Sequence, residues 1–318
     1  MKLIYKIIAK TVLAILLGMA LGCCFNPPAS GLEVLGASSY KEFLYQGTIS
    51  IKYREHNPGH PCTLLFIHGF GAASHYWRAL EDYFASSYNT IALDLKGFGY
   101  SAKPRDGKYR LTDQAELLTA FIQAKNLRNI ILVGHSMGGA VALLTTFRVK
   151  EPLIKGLILL DNASYAQEPP EFIRLLRTPV LNRLGPALLP DRFLVRRLLQ
   201  QVFWDKEKIT DEMIRTYCTY LQLPGAHYAL RQTAYQIVPD NVDEIIDQTV
   251  RLKLPVLIIW GENDQILALS SGQRLHYDIK KSEFVIIPES GHNPHEEKPA
   301  ETIRAMASFL SRRIPACL

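Results

Sequence analysis

Six short apolar runs, each closing on glycine or on a polar cluster, set the frame for this chain. They are TLLFIHG (63–69), NTIALDLKG (89–97), NIILVGHS (129–136), GLILLDNA (156–163), PVLIIWGEND (255–264) and SEFVIIPESGH (282–292). A strand read as continuously apolar is buried on both faces, unlike one that alternates between core and water. Stretches of helical periodicity separate these runs. In TDQAELLTAFIQAKN, Leu111, Ala115, Leu118 and Ile122 fall on one helical face, with Thr112 placed to cap its start. Buried strand alternating with helix predicts an α/β fold: a mostly parallel central sheet covered by helices on both faces. Ahead of them, EFLYQGTISIKYRE alternates and predicts an antiparallel pair near an edge.

The rhythm stops near Ser164. From Gln167 to about Asp247 the chain reads as helices broken by prolines, without strand runs, and the strands then resume. This organisation predicts a core built from residues 40–165 and 248–318, with a helical cap insertion at 166–247. The segment EFIRLLRTPVLNRLGPALLPDRFLVRRLLQQVFW mixes leucine, phenylalanine and tryptophan with arginines. That composition suits a cap over a site, and equally an amphipathic bundle with its arginines in water. A chain of 318 residues has room for one such domain plus an insertion.

The N-terminus has a different character. MKLIYKIIAKTVLAILLGMALGCCF carries Lys2, Lys6 and Lys10, then an apolar run from Val12 to Gly22, then Cys23. A basic start, a short apolar middle and a small-residue end are the layout of an export signal, assigned to 1–22 with a linker over 23–39. The run is shorter than the roughly 20 residues of a spanning helix; a retained anchor lengthened through Ile7 and Ile8 is the competing reading. Met19-Ala20-Leu21-Gly22-Cys23 resembles a bacterial lipoprotein cleavage box, in which Cys23 would carry the lipid, although Ala20 stands where leucine is commoner. The expected location is therefore the bacterial cell envelope, in the periplasm or on a membrane. The formal charge of +6 includes the three signal lysines, and the remaining +3 makes no case for a nucleic-acid partner. Five cysteines are too few for a disulfide scaffold. One bridge among Cys24, Cys62, Cys218 and Cys317 is compatible with export, and the sequence does not choose it.

Functional groups in an open parallel sheet collect beyond the carboxyl ends of the strands. There this chain offers His68-Gly69-Phe70-Gly71, then Gly134-His135-Ser136-Met137-Gly138, then Gly261-Glu262-Asn263-Asp264, then Pro288-Glu289-Ser290-Gly291-His292. A serine, an acid and a histidine arrive in that order. Gly134-x-Ser136-x-Gly138 and the order Ser, Asp, His resemble the α/β-hydrolase superfamily, in its capped serine esterase and lipase branches. LDLKGFGYSAKP resembles the superfamily's glycine-rich loop, and SGHNPHEEKP its histidine loop.

The resemblance implies roles for particular residues. Ser136 would be the nucleophile, His292 the base and then the acid, and Asp264 the group that orients the imidazole. The N–H groups of Phe70 and Met137 would form the oxyanion hole. Rival residues are His295, expected near the mouth, and the acids Glu262 and Asp161. Asp161 follows the fourth of these runs, the sixth strand once the leading pair is counted, where some branches place the acid. Asp94 and His68 read as structural, His135 as a packing neighbour. Trp77, Tyr165, Phe203 and Trp204 are candidates for pocket walls, with core packing as the default for aromatics.

Serine at the elbow disfavours dehalogenase and epoxide hydrolase chemistry, which the family runs on aspartate. Neither a zinc-spaced Cys/His cluster nor a phosphate loop or dinucleotide fingerprint occurs, so no metal and no cofactor is expected. The expected partner is a small-molecule ester, apolar or of acylglycerol type, with membrane association through the N-terminal lipid or anchor. Carbon–carbon bond hydrolysis or perhydrolysis on the same residues is the alternative, and a non-catalytic binding protein on this fold is the third reading.

Overall fold

In a computed structural model that describes residues 39–149, 152–165, 169–178, 190–238 and 242–317, the chain enters its sheet through a hairpin. β1 (Lys41–Tyr45) and β2 (Ile49–His56) pair antiparallel across a turn in which Gln46 and Gly47 both have positive φ, the backbone that matches strand twist. β3 (Thr63–Ile67), α1 (Arg78–Phe84), β4 (Asn89–Leu93), α2 (Leu111–Ala124), β5 (Ile130–His135), α3 (Met137–Arg148) and β6 (Ile154–Leu160) follow. After the insertion come β7 (Val256–Gly261), α9 (Leu269–Asp278), β8 (Ser282–Ile287), the short α10 (Pro294–Glu297) and α11 (Pro299–Arg313). The eight strands form one sheet in the order β1-β2-β4-β3-β5-β6-β7-β8. β2 pairs antiparallel with β1 and β4, and every later pairing is parallel.

The apolar runs explain the two-sided core. Along β5, Ile130 and Leu132 point into one cluster with α2 and α3, while Ile131 and Val133 point into the other with α1 and α11. Leu65 and Ile67 of β3, and Val256 and Ile258 of β7, share the first side, and their sequence neighbours share the second. Successive residues of a strand face opposite ways, so a strand covered on both sides must be apolar throughout. Each fully buried leucine, isoleucine or phenylalanine contributes roughly 1.5–3 kcal/mol.

α2 begins two residues earlier than a cap at Thr112 would start it. Arg110 is the cap residue, and its N–H donates to Asp113 Oδ2 at 2.8 Å. Thr112 therefore lies inside the first turn rather than capping it, because Asp113, three residues past Arg110, reaches back to the entering backbone as a capping-box acid does.

Between β6 and β7 the described residues carry helices and no strand: α4 (Glu171–Arg177), α5 (Asp191–Val202), α6 (Asp211–Gln222), α7 (Ala226–Gln236) and α8 (Val242–Val250). α5 packs on α6 and α4 on α7. Val195, Leu199 and Val202 on α5, with Ile214 and Tyr217 on α6, are continuous with the core on the α1/α11 side. Cys62, just before β3, is bonded to Cys317 after α11, and both are buried; Cys218 is free and buried. The pairing that the sequence left open thus ties the entry of a central strand to the end of the chain. Among the described residues no helix is long and apolar enough to cross a membrane. Residues 1–22 and Cys23, read as signal and lipid attachment site, lie outside the described residues.

Candidate active site

The serine bend is tight for a physical reason. Ser136 leaves β5 with φ 52° and ψ −120° and enters α3 directly, a sparsely populated conformation that costs on the order of 1–3 kcal/mol. Its glycine neighbours make the bend feasible. A Cβ on Gly138 would lie 2.2 Å from the carbonyl oxygen of Ile67, and one on Gly134 would lie 2.6 Å from that of Gly138. The serine is left partly exposed at the floor of a pocket that His292 also lines.

His292 and Asp264 come from the loops after β8 and β7. His292 Nδ1 lies 2.8 Å from Asp264 Oδ2, and both side chains are almost wholly buried. Asp264 Oδ1 accepts the N–H groups of Ile266 at 2.7 Å and Leu267 at 3.0 Å. A carboxylate held by two backbone donors is a fixed acceptor, so the imidazole carries its proton on Nδ1 and keeps Nε2 as a base. The backbone N–H of His292 donates to the carbonyl of Val202 at the end of α5 at 2.7 Å.

Phe70 and Met137 line the same pocket, and among the described residues neither N–H has an acceptor. A chain of hydrogen bonds holds these donors against the histidine loop. The Gly69 N–H donates to the Tyr76 hydroxyl at 2.6 Å, and that hydroxyl donates to His135 Nδ1 at 3.0 Å. His135 Nε2 then donates to the carbonyl of His292 at 2.7 Å. Burial, first of all, holds the His135 imidazole well below its usual pKa, so it stays neutral, with one donor and one acceptor nitrogen as this chain requires. His68 braces the same loop: its Nδ1 donates to the Gly69 carbonyl at 2.8 Å and its Nε2 accepts from Leu95 N–H at 3.0 Å. The Asp94 carboxylate accepts from the N–H groups of Ser74 and Tyr100 at 2.7 and 2.8 Å, a structural task.

Other sequence candidates fall elsewhere. His295, expected near the mouth, is fully buried. It stacks on Trp77 with ring centroids 4.5 Å apart and meets Tyr76 and His135, because the short α10 turns it inward. Trp77 and Phe203 are core residues and Trp204 is exposed; of the four aromatics proposed as walls, Tyr165 lines the pocket. Glu262 is exposed, with its carboxylate accepting from Glu289 N–H at 3.2 Å. Asp161 lies against Asp264. One ligand atom each from Asp161, Asp264 and His292 lie within 4.8 Å of one another, the one group of potential metal ligands found among the described residues. Such a group can hold a cation or a shared proton, and the His292–Asp264 hydrogen bond already occupies two of its atoms.

Two acids after the histidine were not singled out by the sequence. Glu297 is buried and accepts from the N–H groups of Gly291, Trp204 and Asp205 at 2.7, 3.1 and 2.5 Å. It clamps the histidine loop to the segment leaving α5. Glu296 Oε2 accepts from Asn293 Nδ2 at 2.7 Å and from the Tyr217 hydroxyl of α6 at 3.1 Å. Burial pushes its carboxyl up to about 7 from 4.5, against the lowering effect of both hydrogen bonds. The folded state therefore binds this proton more tightly than the unfolded chain. Its contribution to stability is complete below pH 4.5 and is lost as pH rises through 7, by up to about 3 kcal/mol. Denaturant titrations at pH 5 and pH 8 should show that loss in the native protein and a smaller one in Glu296→Gln. An unchanged pH slope in the variant would remove Glu296 as its source.

The pocket walls are apolar, with Phe172 and Ile173 of α4, Leu198, Leu199 and Val202 of α5, and Ile266 beyond Asp264 among them. Besides His135 and His292, no ionisable acid or base other than tyrosine lines it among the described residues.

Comparison with known proteins finds similarity across most of the chain. The family model described as an alpha/beta hydrolase fold matches residues 63–299. The 2-hydroxy-6-oxo-6-(2'-aminophenyl)hexa-2,4-dienoic acid hydrolase of Metapseudomonas resinovorans is 31% identical over 283 residues, 87% of this chain and 93% of that protein. Lipase 1 of Psychrobacter immobilis is 29% identical over 256 residues, 78% of this chain and 76% of its own length. The crystal structure of a membrane phospholipase A, described as a bacterial virulence factor, superposes with a TM-score of 0.72 at 28% identity, covering 96% of this chain and 98% of that one.

Proposed function

This chain belongs to the alpha/beta hydrolase fold family, and on that premise we propose that it hydrolyses carboxylic esters of apolar acids, acylglycerol-type esters among them, through Ser136, His292 and Asp264. The observation that carries the reading is the pocket itself: a partly exposed serine and a buried, carboxylate-bound histidine at the floor of apolar walls.

In this mechanism the Ser136 hydroxyl oxygen attacks the acyl carbon while its proton passes to His292 Nε2. Negative charge gathers on the former carbonyl oxygen, facing the N–H groups of Phe70 and Met137. Each donor aimed there contributes about 3 kcal/mol to the transition state. The tetrahedral intermediate collapses, the alcohol leaves with the proton from Nε2, and the acyl group remains on Ser136 Oγ. Water enters, gives a proton to Nε2 and attacks the acyl carbon. Collapse releases the acid and returns that proton to Ser136. Asp264 keeps Nδ1–H oriented and stabilises the imidazolium in both halves.

A second reading, carbon–carbon bond hydrolysis, is supported by the similarity to the dienoic acid hydrolase. That relative's named substrate is an acid, and a carboxylate calls for a cation or several donors in the pocket. Neither lysine nor arginine lines this pocket among the described residues, which favours the neutral ester. The lipase and phospholipase relatives support it as well. An exported location belongs to the same proposal and is supported by the buried Cys62–Cys317 bridge, since structural disulfides persist in oxidising compartments.

The test is a series of p-nitrophenyl esters from acetate to palmitate. Each methylene buried against the apolar wall is worth roughly 0.8 kcal/mol, so kcat/KM should rise by up to about fourfold per methylene until the chain fills the pocket. A preference for acetate, or faster turnover of a dienoic acid than of any ester, would overturn the substrate class.

A further inference from the structure

We propose that Asp161 is a neutral carboxylic acid that donates its proton in a hydrogen bond to Asp264, making it a positioning residue for the Asp264–His292 pair. The proposal rests on the reading of that pair as the acid–base element of the site.

Asp161 is the first residue beyond β6, with φ 43° and no exposed surface. Its N–H donates to the Ile259 carbonyl at 3.0 Å. Its Oδ1 accepts the N–H of Gly261 at 2.9 Å, so its carboxyl is tied to the strand end from which the Asp264 loop departs. Oδ2 has no donor among the described residues, yet an oxygen of Asp161 and one of Asp264 lie within 4.8 Å of each other and of a His292 ring nitrogen. The two acids are treated differently. Asp264 receives Ile266 N–H, Leu267 N–H and His292 Nδ1–H, three donors that solvate an anion. Asp161 receives one.

A buried anion without a partner is disfavoured, and two adjoining carboxylates do not both ionise when a proton can be kept between them. The better solvated acid keeps the charge, and the proton stays on Asp161. It then satisfies the orphaned Oδ2 by turning it from acceptor into donor. The groups facing Asp161 are Asp264 and His292 from the loops after β7 and β8, and Glu297 from α10; no lysine or arginine is paired with it among the described residues. Burial first, and then the Asp264 charge, hold the Asp161 carboxyl well above the usual carboxylate range, with Glu297 acting in the same sense.

The consequence is a division of labour. The Asp161 proton adds a fourth donor to Asp264, which therefore orients His292 while holding the imidazolium less tightly than it would without that donor. The proton on Asp161 is not consumed in either half-reaction. Two acid positions, after β6 and after β7, are both filled, one as the anion and one as its hydrogen-bond donor.

The test combines protonation with function. In the wild-type minus Asp161→Asn infrared difference spectrum at pH 7, a protonated-carboxyl C=O band should be present and assigned to Asp161. In the pH profile of kcat/KM, Asp161→Asn supplies an amide donor in the same place. It should leave the acid limb where it is, within about 0.3 pH units. Asp161→Ala removes the donor and should move that limb upward by about one unit as Asp264 binds the imidazolium more tightly, a tenfold change. Absence of the infrared band, or an acid limb that falls by a unit in Asp161→Asn, would show that Asp161 is charged and overturn the proposal. The infrared result stands without turnover, so failure of the esterase reading is distinguishable from failure of this one.

Discussion

His292→Ala is expected to lower turnover of a p-nitrophenyl ester by about 10⁶-fold, with KM changed little and the fold retained. The imidazole is asked to act four times per cycle, as base and as acid in each half-reaction. By contrast, its structural tasks are carried by the backbone: its N–H meets Val202 and its carbonyl meets His135. Alanine keeps both bonds. Ser136→Ala should cost about as much, and the double variant no more than either alone, because the residues act as a unit. Asp264→Asn should lose about 10⁴-fold, since the amide favours the wrong imidazole tautomer. Steady-state rates beside near-ultraviolet circular dichroism check all four. A loss below tenfold in a folded His292→Ala variant would remove this histidine from the reaction.

Removing the Cys62–Cys317 bridge should give the largest change in stability. The bridged residues are 255 apart in sequence, and cross-linking a loop of that length restricts the unfolded chain by about 5 kcal/mol in the loop-entropy account. For a chain of this size the melting temperature of Cys62→Ser/Cys317→Ser should fall by on the order of 10 °C, with ester turnover retained at low temperature. An unchanged melting temperature would show that the bridge holds nothing the core does not. The same residues report location. Protein recovered from the cell envelope should leave Cys62 and Cys317 unreactive towards a thiol reagent after denaturation, whereas protein kept in the cytosol should react at both; the reverse would count against export.

The sheet was legible because its strands are buried on both faces. Such strands leave unbroken apolar runs, and β3, β5 and β7 show them. The serine bend was legible for a related reason. Gly138 and Gly134 are dictated by backbone approaches, and such constraints survive in sequence as residue identity. What escaped depends on which loops meet in space. Asp161 and Asp264 are 103 positions apart, and nothing in either local sequence says that β6 and β7 are neighbours. The Tyr76–His135–His292 chain joins a helical turn after β3, the end of β5 and the loop after β8, so no spacing rule finds it. His295 read as a loop residue because it follows a histidine expected at the mouth, yet the one-turn α10 rotates it onto Trp77. The disulfide was undetermined for the same reason: Cys62 and Cys317 meet through the whole sheet.

The most direct test of the account is covalent labelling of the full chain with a fluorophosphonate, followed by peptide mass analysis and ester assay on the same sample. The account requires one label per chain, on Ser136, with loss of ester hydrolysis in proportion to labelling, and no label in Ser136→Ala or His292→Ala. Ester hydrolysis that persists in fully labelled protein or in Ser136→Ala, or a label on any other residue that tracks with inactivation, would contradict it.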